Sequence, residues 1–204
     1  MARPLDTTLE KRLLEAARKL LRSGEKSLTM RALARAAKTH APGIYSRFRN
    51  RQDIIRTLLA EFEEELASSL TIAVSVEAAT ELYLEFAINH PKEYETLFTH
   101  RAAMANEPET CSVGDLGPGF RWVQDKLSKG LGLEPGENTQ LALSIWTLWH
   151  GTAALLINRA LSTALADTVR NAAKCGVNTL MQEARCRYET PSESADSTGA
   201  CYPA

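Results

Sequence analysis

"LTMRALARAAKTHAPGIYSRFRNRQDI", residues 28–54, is the stretch that decides the fold. In its first half Thr29 stands where an N-cap residue would, and Met30, Leu33, Ala34 and Ala37 fall on one helical face. In its second half Pro42 and Gly43 stand side by side, followed by Ile44, Tyr45 and Phe48 among Arg47, Arg49 and Arg51. Proline and glycine are the residues least suited to a helix interior. Proline is nevertheless tolerated in a helix's first turn, where no intrahelical N–H bond is lost. The spacing therefore predicts a short helix capped by Thr29, a three-residue turn Lys38-Thr39-His40, and a second short helix over about 41–47.

Working outward, Thr7-x-x-Glu10 reads as a capping box, followed by Leu9, Leu13, Ala16, Ala17, Leu20 and Leu21 on one face, with Gly24 as the stop. Three short helices with a tight turn between the second and third make a helix-turn-helix candidate. Asn50-x-x-Asp53 starts a long fourth helix over 50–72, in which Ile54, Leu58, Phe62, Leu66 and Leu70 recur every four residues. Further helices are expected near 76–89, 91–103, 118–130, 135–160 and 164–187, with Pro91 and Pro135 in first turns. That makes an all-α chain of about nine helices, with a loop at 105–119 and a disordered tail at 190–204. No strand alternation and no internal repeat is present.

A composition 44% hydrophobic and 24% charged is that of a folded globular chain, not a disordered one. The overall charge of −1 conceals a division: residues 1–56 carry fourteen Lys/Arg against five Asp/Glu, a net +9, which leaves −10 for the rest. A basic module suited to a polyanion is thus joined to an acidic body. The N-terminus lacks the apolar core of a secretory signal. The run Leu141–Ile157 is interrupted by Ser144, Thr147, His150, Gly151 and Thr152 and falls short of the roughly 18 to 20 residues of a membrane span. A cytoplasmic location without membrane association is expected. Cys111, Cys175, Cys186 and Cys201 have no metal-ligand spacing and read as ordinary thiols. His40, His90, His100 and His150 show no metal motif, and no nucleophile motif or phosphate loop is present, so an enzyme, a metal site and a cofactor are not expected.

The pattern L-T-M-R-A-L-A-R-A-A, the turn, and A-P-G-I-Y-S-R-F-R-N-R-Q-D-I closely resembles the DNA-binding domain of the tetracycline-repressor (TetR) family. Thr29, Leu33, Ala34, Ala37, Pro42, Ile44, Tyr45, Phe48, Asn50 and Arg51 match without a gap, and the resemblance covers roughly residues 8–60. The family usually has glycine, then a small apolar residue, where Lys38 and Thr39 stand here. A left-handed residue without glycine costs about 1 kcal/mol. The resemblance implies that Thr29, Arg31, Tyr45 and Arg51 hold DNA phosphates. Ala41, Pro42, Gly43, Ser46 and Arg47 would face base edges, with Pro42 and Gly43 letting the backbone approach the major groove.

H-P-K-E-Y-E-T-L-F at 90–98 and W-T-L-W-H-G-T-A-A-L-L at 146–156 look like the C-terminal domain of TetR-type regulators with a Trp-His-Gly signature. This implies a helix-turn-helix domain over 1–52 and a ligand-binding and dimerisation domain over 53–189. Tyr83, Phe86, Phe98, Trp146, Trp149 and His150 are the candidate effector-binding residues, though the same aromatics would serve equally as core and His150 as a buried histidine. The helices near 135–160 and 164–187 would pair with a second copy as a four-helix bundle, so that charge at Val177 or Leu180 should split a homodimer. The expected function is a regulator, most often a repressor by resemblance, bound to double-stranded operator DNA and released by a small apolar or aromatic effector. A nucleoid-type DNA-binding protein without an effector is the alternative.

Overall fold

A computed structural model describes residues 7–96, 116–134, 136–158 and 161–189. Every regular element among them is helical: α1 (Thr7–Arg22), a 3₁₀ turn (Glu25–Ser27), α2 (Met30–Ala36), α3 (Ala41–Tyr45), α4 (Arg51–Leu70) and α5 (Val76–Asn89) come first. They are followed by α6, described over 91–96, then α7 (Pro118–Leu131), α8 (Thr139–Ile157) and α9 (Thr163–Glu189). The side chain of Thr7, the end of the expected 91–103 helix, Pro135, most of the 105–119 loop and the 190–204 tail lie outside the described residues.

The N-terminal helices close over Leu13, Ala17, Leu21, Leu28, Leu33, Ile44 and Ile54, each at most 1% exposed. Burial of each such leucine or isoleucine side chain contributes about 1.5–3 kcal/mol. The 20-residue α4 carries this core onward through Leu58, Phe62 and Leu66 into the body, where Tyr83, Phe120, Val123, Ile145, Trp149 and Val177 are fully buried. Head and body thus share one continuous apolar core with α4 as its axis.

Asn50 caps α4: its Oδ1 accepts the Asp53 N–H at 2.9 Å, and Asp53 Oδ2 accepts the Arg49 N–H at 3.0 Å. The α8 helix starts at Thr139 rather than 135, because Gly136 has φ +103° and 136–138 form a turn, in which the buried Asn138 donates from Nδ2 to Gln124 O and Ser128 Oγ of α7 at 2.8 Å each. By length and composition α8 is apolar enough to cross a membrane, despite the polar interruptions read as disqualifying. Its face with Ala142, Ile145, Trp146, Trp149 and Ala153 is packed in the protein, with Trp149 Nε1 donating to Thr80 Oγ1 of α5 at 3.1 Å.

One expectation is corrected by α9. Ala173, Val177, Met181 and Ala184 are buried within their own chain, and Gly176 sits so close to Leu148 that a Cβ would meet its Cδ2 at 2.9 Å. A charge at Val177 would therefore break the fold, not a contact between copies. The α9 helix is further tied to α5 by Arg185 on Glu77 and by Arg170 and Lys174 on Glu81.

Candidate nucleic-acid interface and effector site

The turn between α2 and α3 is closed by backbone bonds. Thr29 Oγ1 accepts the Ala32 N–H at 3.1 Å at the start of α2, a cap worth about 1 kcal/mol. At the end of α2, Thr39 N donates to Ala34 O at 2.9 Å and Lys38 N to Arg35 O at 3.3 Å. These two bonds form a Schellman motif, whose penultimate residue must be left-handed. Lys38 is that residue, with φ +51°, where the resembling family usually has glycine.

Pro42 lies in the first turn of α3. Gly43 has a local reason: a Cβ there would meet Thr39 Oγ1 at 2.7 Å, so glycine lets α3 close against its own turn. Ile44 and Phe48 are buried, while Ala41, Pro42, Tyr45 and Ser46 are exposed, Tyr45 at 56%. Ser46 Oγ donates to Gly43 O at 2.8 Å. Thr29 and Arg31 are exposed at the start of α2. Arg47 is half-buried, and its Nε is covered without a hydrogen-bond partner.

Arg51 has a destination that its spacing did not reveal. Its Nε donates to Leu28 O at 2.7 Å, and its second guanidinium nitrogen donates to Glu25 O at 2.8 Å and Glu25 Oε1 at 2.7 Å. The side chain assigned to phosphate by resemblance thus braces the start of α4 against the chain between α1 and α2. His40, exposed at the N-cap of α3 with no side-chain cap bond, was not singled out by the sequence.

In the body, four of the candidate effector residues come together. Tyr83 stacks on Trp149 at 5.0 Å and on His150 at 5.4 Å between ring centroids, and Trp146 lies 4.5 Å from His150. Tyr83 Oη is 2.8 Å from His150 Nδ1 and 2.9 Å from Tyr94 Oη, so three side chains on α5, α6 and α8 form one hydrogen-bonded line. Burial pushes the Tyr94 hydroxyl well above the ordinary tyrosine range. Tyr94 stands inside the 90–98 motif, yet only its contact with Tyr83 reveals its place. Phe86 is elsewhere, packed on Phe62 at 5.1 Å and His90 at 4.6 Å. Phe98 lies outside the described residues. Tyr83, Trp146 and His150 border a cavity of about 10 Å³, with Glu63, Leu116 and Gly119 across from them. That is room for about one water molecule. Among the described residues no three His, Cys, Asp or Glu side chains converge as metal ligands would.

Two family profiles match the chain. One described as "Tetracyclin repressor-like, C-terminal domain" matches residues 76–180, just over half of it, and one described as "Bacterial regulatory proteins, tetR family" matches residues 13–58. Among solved structures, a tetR-family transcriptional regulator from Streptomyces coelicolor superposes with a TM-score of 0.68 at 15% identity, over 93% of this chain and 86% of that one. A protein of unknown function from Rhodococcus sp. RHA1 superposes with a TM-score of 0.67 at 22% identity, over 89% of this chain and 98% of the other. No curated protein matches.

Proposed function

Since the chain belongs to the tetracycline-repressor family of bacterial regulators, we propose that it represses transcription as a homodimer on an inverted-repeat operator and is released by a small-molecule effector. It is a DNA-binding transcription regulator and not an enzyme. The observation that carries the reading is the exposed face of α3, presented by a Schellman turn on a segment of net +9.

In this reading residues 1–52 form the reading head, 53–189 the body and 190–204 a tail. Thr29, Arg31 and Tyr45 hold phosphates, and Arg51 holds the head in shape. Ala41, Pro42, Ser46 and Arg47 face the bases, with Gly43 supporting them from within.

The dimer face is the exposed side of α8 and α9. Thr147, Gly151 and Ala154 on α8, with Thr168, Ala172, Cys175 and Thr179 on α9, are small and exposed, as close pairing of helices from two copies requires. A single head covers one half-site, so two copies bring two half-sites about one helical turn or more apart. The effector enters beside Tyr83, Trp146 and His150 and widens the cavity there. A partly aromatic or acyl molecule suits an apolar wall whose polar side chains are Tyr83, His150 and Glu63. The smallness of that cavity is the one observation favouring an effector-free DNA binder. A thermal-shift screen separates the two readings, because only an effector-binding body gains stability from a small molecule.

The test is selection from a random duplex pool with the full chain. Enrichment of an inverted repeat supports the reading; a pool that stays random overturns it.

A further inference from the structure

We propose that the reading head recognises its half-site chiefly through the 5-methyl groups of thymine, by apolar contact from Ala41 and Pro42. This rests on the reading above, that α3 is the helix that meets the bases.

In a helix-turn-helix the N-terminal residues of the second helix contact base edges. In this chain they are His40, Ala41, Pro42 and Gly43. The bidentate partners of guanine are Arg and Lys, and those of adenine are Asn and Gln. None of these stands at positions 40–43, and Arg47, one turn further on, is half-buried with its Nε covered. Ala41 and Pro42 are both exposed, and their side chains carry neither donor nor acceptor. The Ser46 hydroxyl, one turn further on, gives its proton to Gly43 O at 2.8 Å. The foremost surface of α3 is therefore a methyl group and a pyrrolidine ring with an imidazole beside them. In the major groove the complementary apolar group is the thymine methyl, which no other base carries.

This surface is also rigid. Pro42 has its φ fixed by its ring, Ile44 and Phe48 are buried beneath, and Gly43 is pressed against Thr39. Apolar contact with little ordering cost suits a reader whose specificity comes from touching base edges. His40, with no cap bond to hold it, reaches the neighbouring purine, whose N7 accepts from an imidazole N–H. The half-site should accordingly hold at least two thymines next to a purine.

The experiment uses the full chain and the duplex enriched from a random pool, with deoxyuridine replacing thymine at one position at a time. Uracil keeps the base pair and removes only the methyl group. Removing a contacted methyl should weaken binding about fourfold, and two together about fifteenfold, on the scale of one buried CH₂ per contact. In Ala41→Gly the penalty at one of those positions should vanish, which makes the effect specific to that contact. Full-strength binding by every uracil-substituted duplex would overturn the proposal while leaving sequence-specific DNA binding intact. An unchanged uracil penalty in both Ala41→Gly and Pro42→Ala would overturn the assignment to these residues. If no sequence is enriched at all, the proposed function falls, and this inference with it.

Discussion

Arg22, the last residue of α1, donates from Nε to Glu93 Oε1 of α6 at 2.8 Å. The Glu93 side chain is 6% exposed and that of Arg22 54%. The basic head is therefore fastened to the body by a carboxylate that has little other access to water. The next residue, Tyr94, belongs to the line through Tyr83 to His150. A shift of α6 would be felt at both ends.

Arg22→Ala should lower stability by about 1–2 kcal/mol, since it strands a buried carboxylate while the half-exposed arginine was partly screened. Glu93→Gln, which keeps an acceptor for Arg22, should cost less. Urea unfolding followed by circular dichroism checks this, and equal midpoints for all three proteins would contradict it.

Lys38→Gly should stabilise the head by about 0.5–1 kcal/mol, because glycine adopts φ +51° without the steric cost that lysine bears. Lys38→Val should do the opposite. Thermal unfolding decides; a lower midpoint for the glycine variant would mean the lysine side chain supports the turn in some other way.

Gly43→Ala should destabilise by about 1–2 kcal/mol, as its Cβ would lie 2.7 Å from Thr39 Oγ1. Adding Thr39→Ala should recover most of the loss. Additive costs in the double variant would show that the two positions do not touch.

The legible parts of this molecule were those written in local chemistry. Proline and glycine in one turn, with caps at Thr29 and Asn50, placed α2, α3 and the start of α4 from sequence. The +9 segment and its exposed helix face are likewise legible in the sequence. What was hidden depended on distant partners. Arg51 looks like any basic residue beside a reading helix, but the carbonyls that claim it belong to residues 23 and 26 positions earlier. Val177 lies on an apolar stripe, and a stripe does not say whether it faces its own chain or a second copy. Phe86 has the same difficulty: its helix position is clear, but its neighbours Phe62 and His90 are not.

Acid should loosen the α5–α9 seam. Burial alone would raise the Glu81 carboxyl, but hydrogen bonds and charge from Lys174 and Arg170 more than offset it and hold it below the ordinary value of 4.5. Glu77 is likewise raised by burial, but backbone, Ser75 and Arg185 hydrogen bonds hold it low. A carboxyl depressed in the folded state contributes stability above its unfolded value, and that stability is lost as pH falls through the lower folded value. The wild-type melting temperature should therefore fall steadily below about pH 4.5. The Glu77→Gln/Glu81→Gln variant should start lower at pH 7 and fall less. Parallel curves would contradict the assignment.

The most direct measurement of the central claim is a salt titration of equilibrium binding, comparing the selected duplex with an unrelated duplex of equal length. The account predicts that at physiological salt the selected duplex binds tighter by about 10³-fold or more. Both log–log plots should fall linearly with salt, at a slope of about 0.9 per phosphate contact. Equal affinity for the two duplexes across the titration would contradict it.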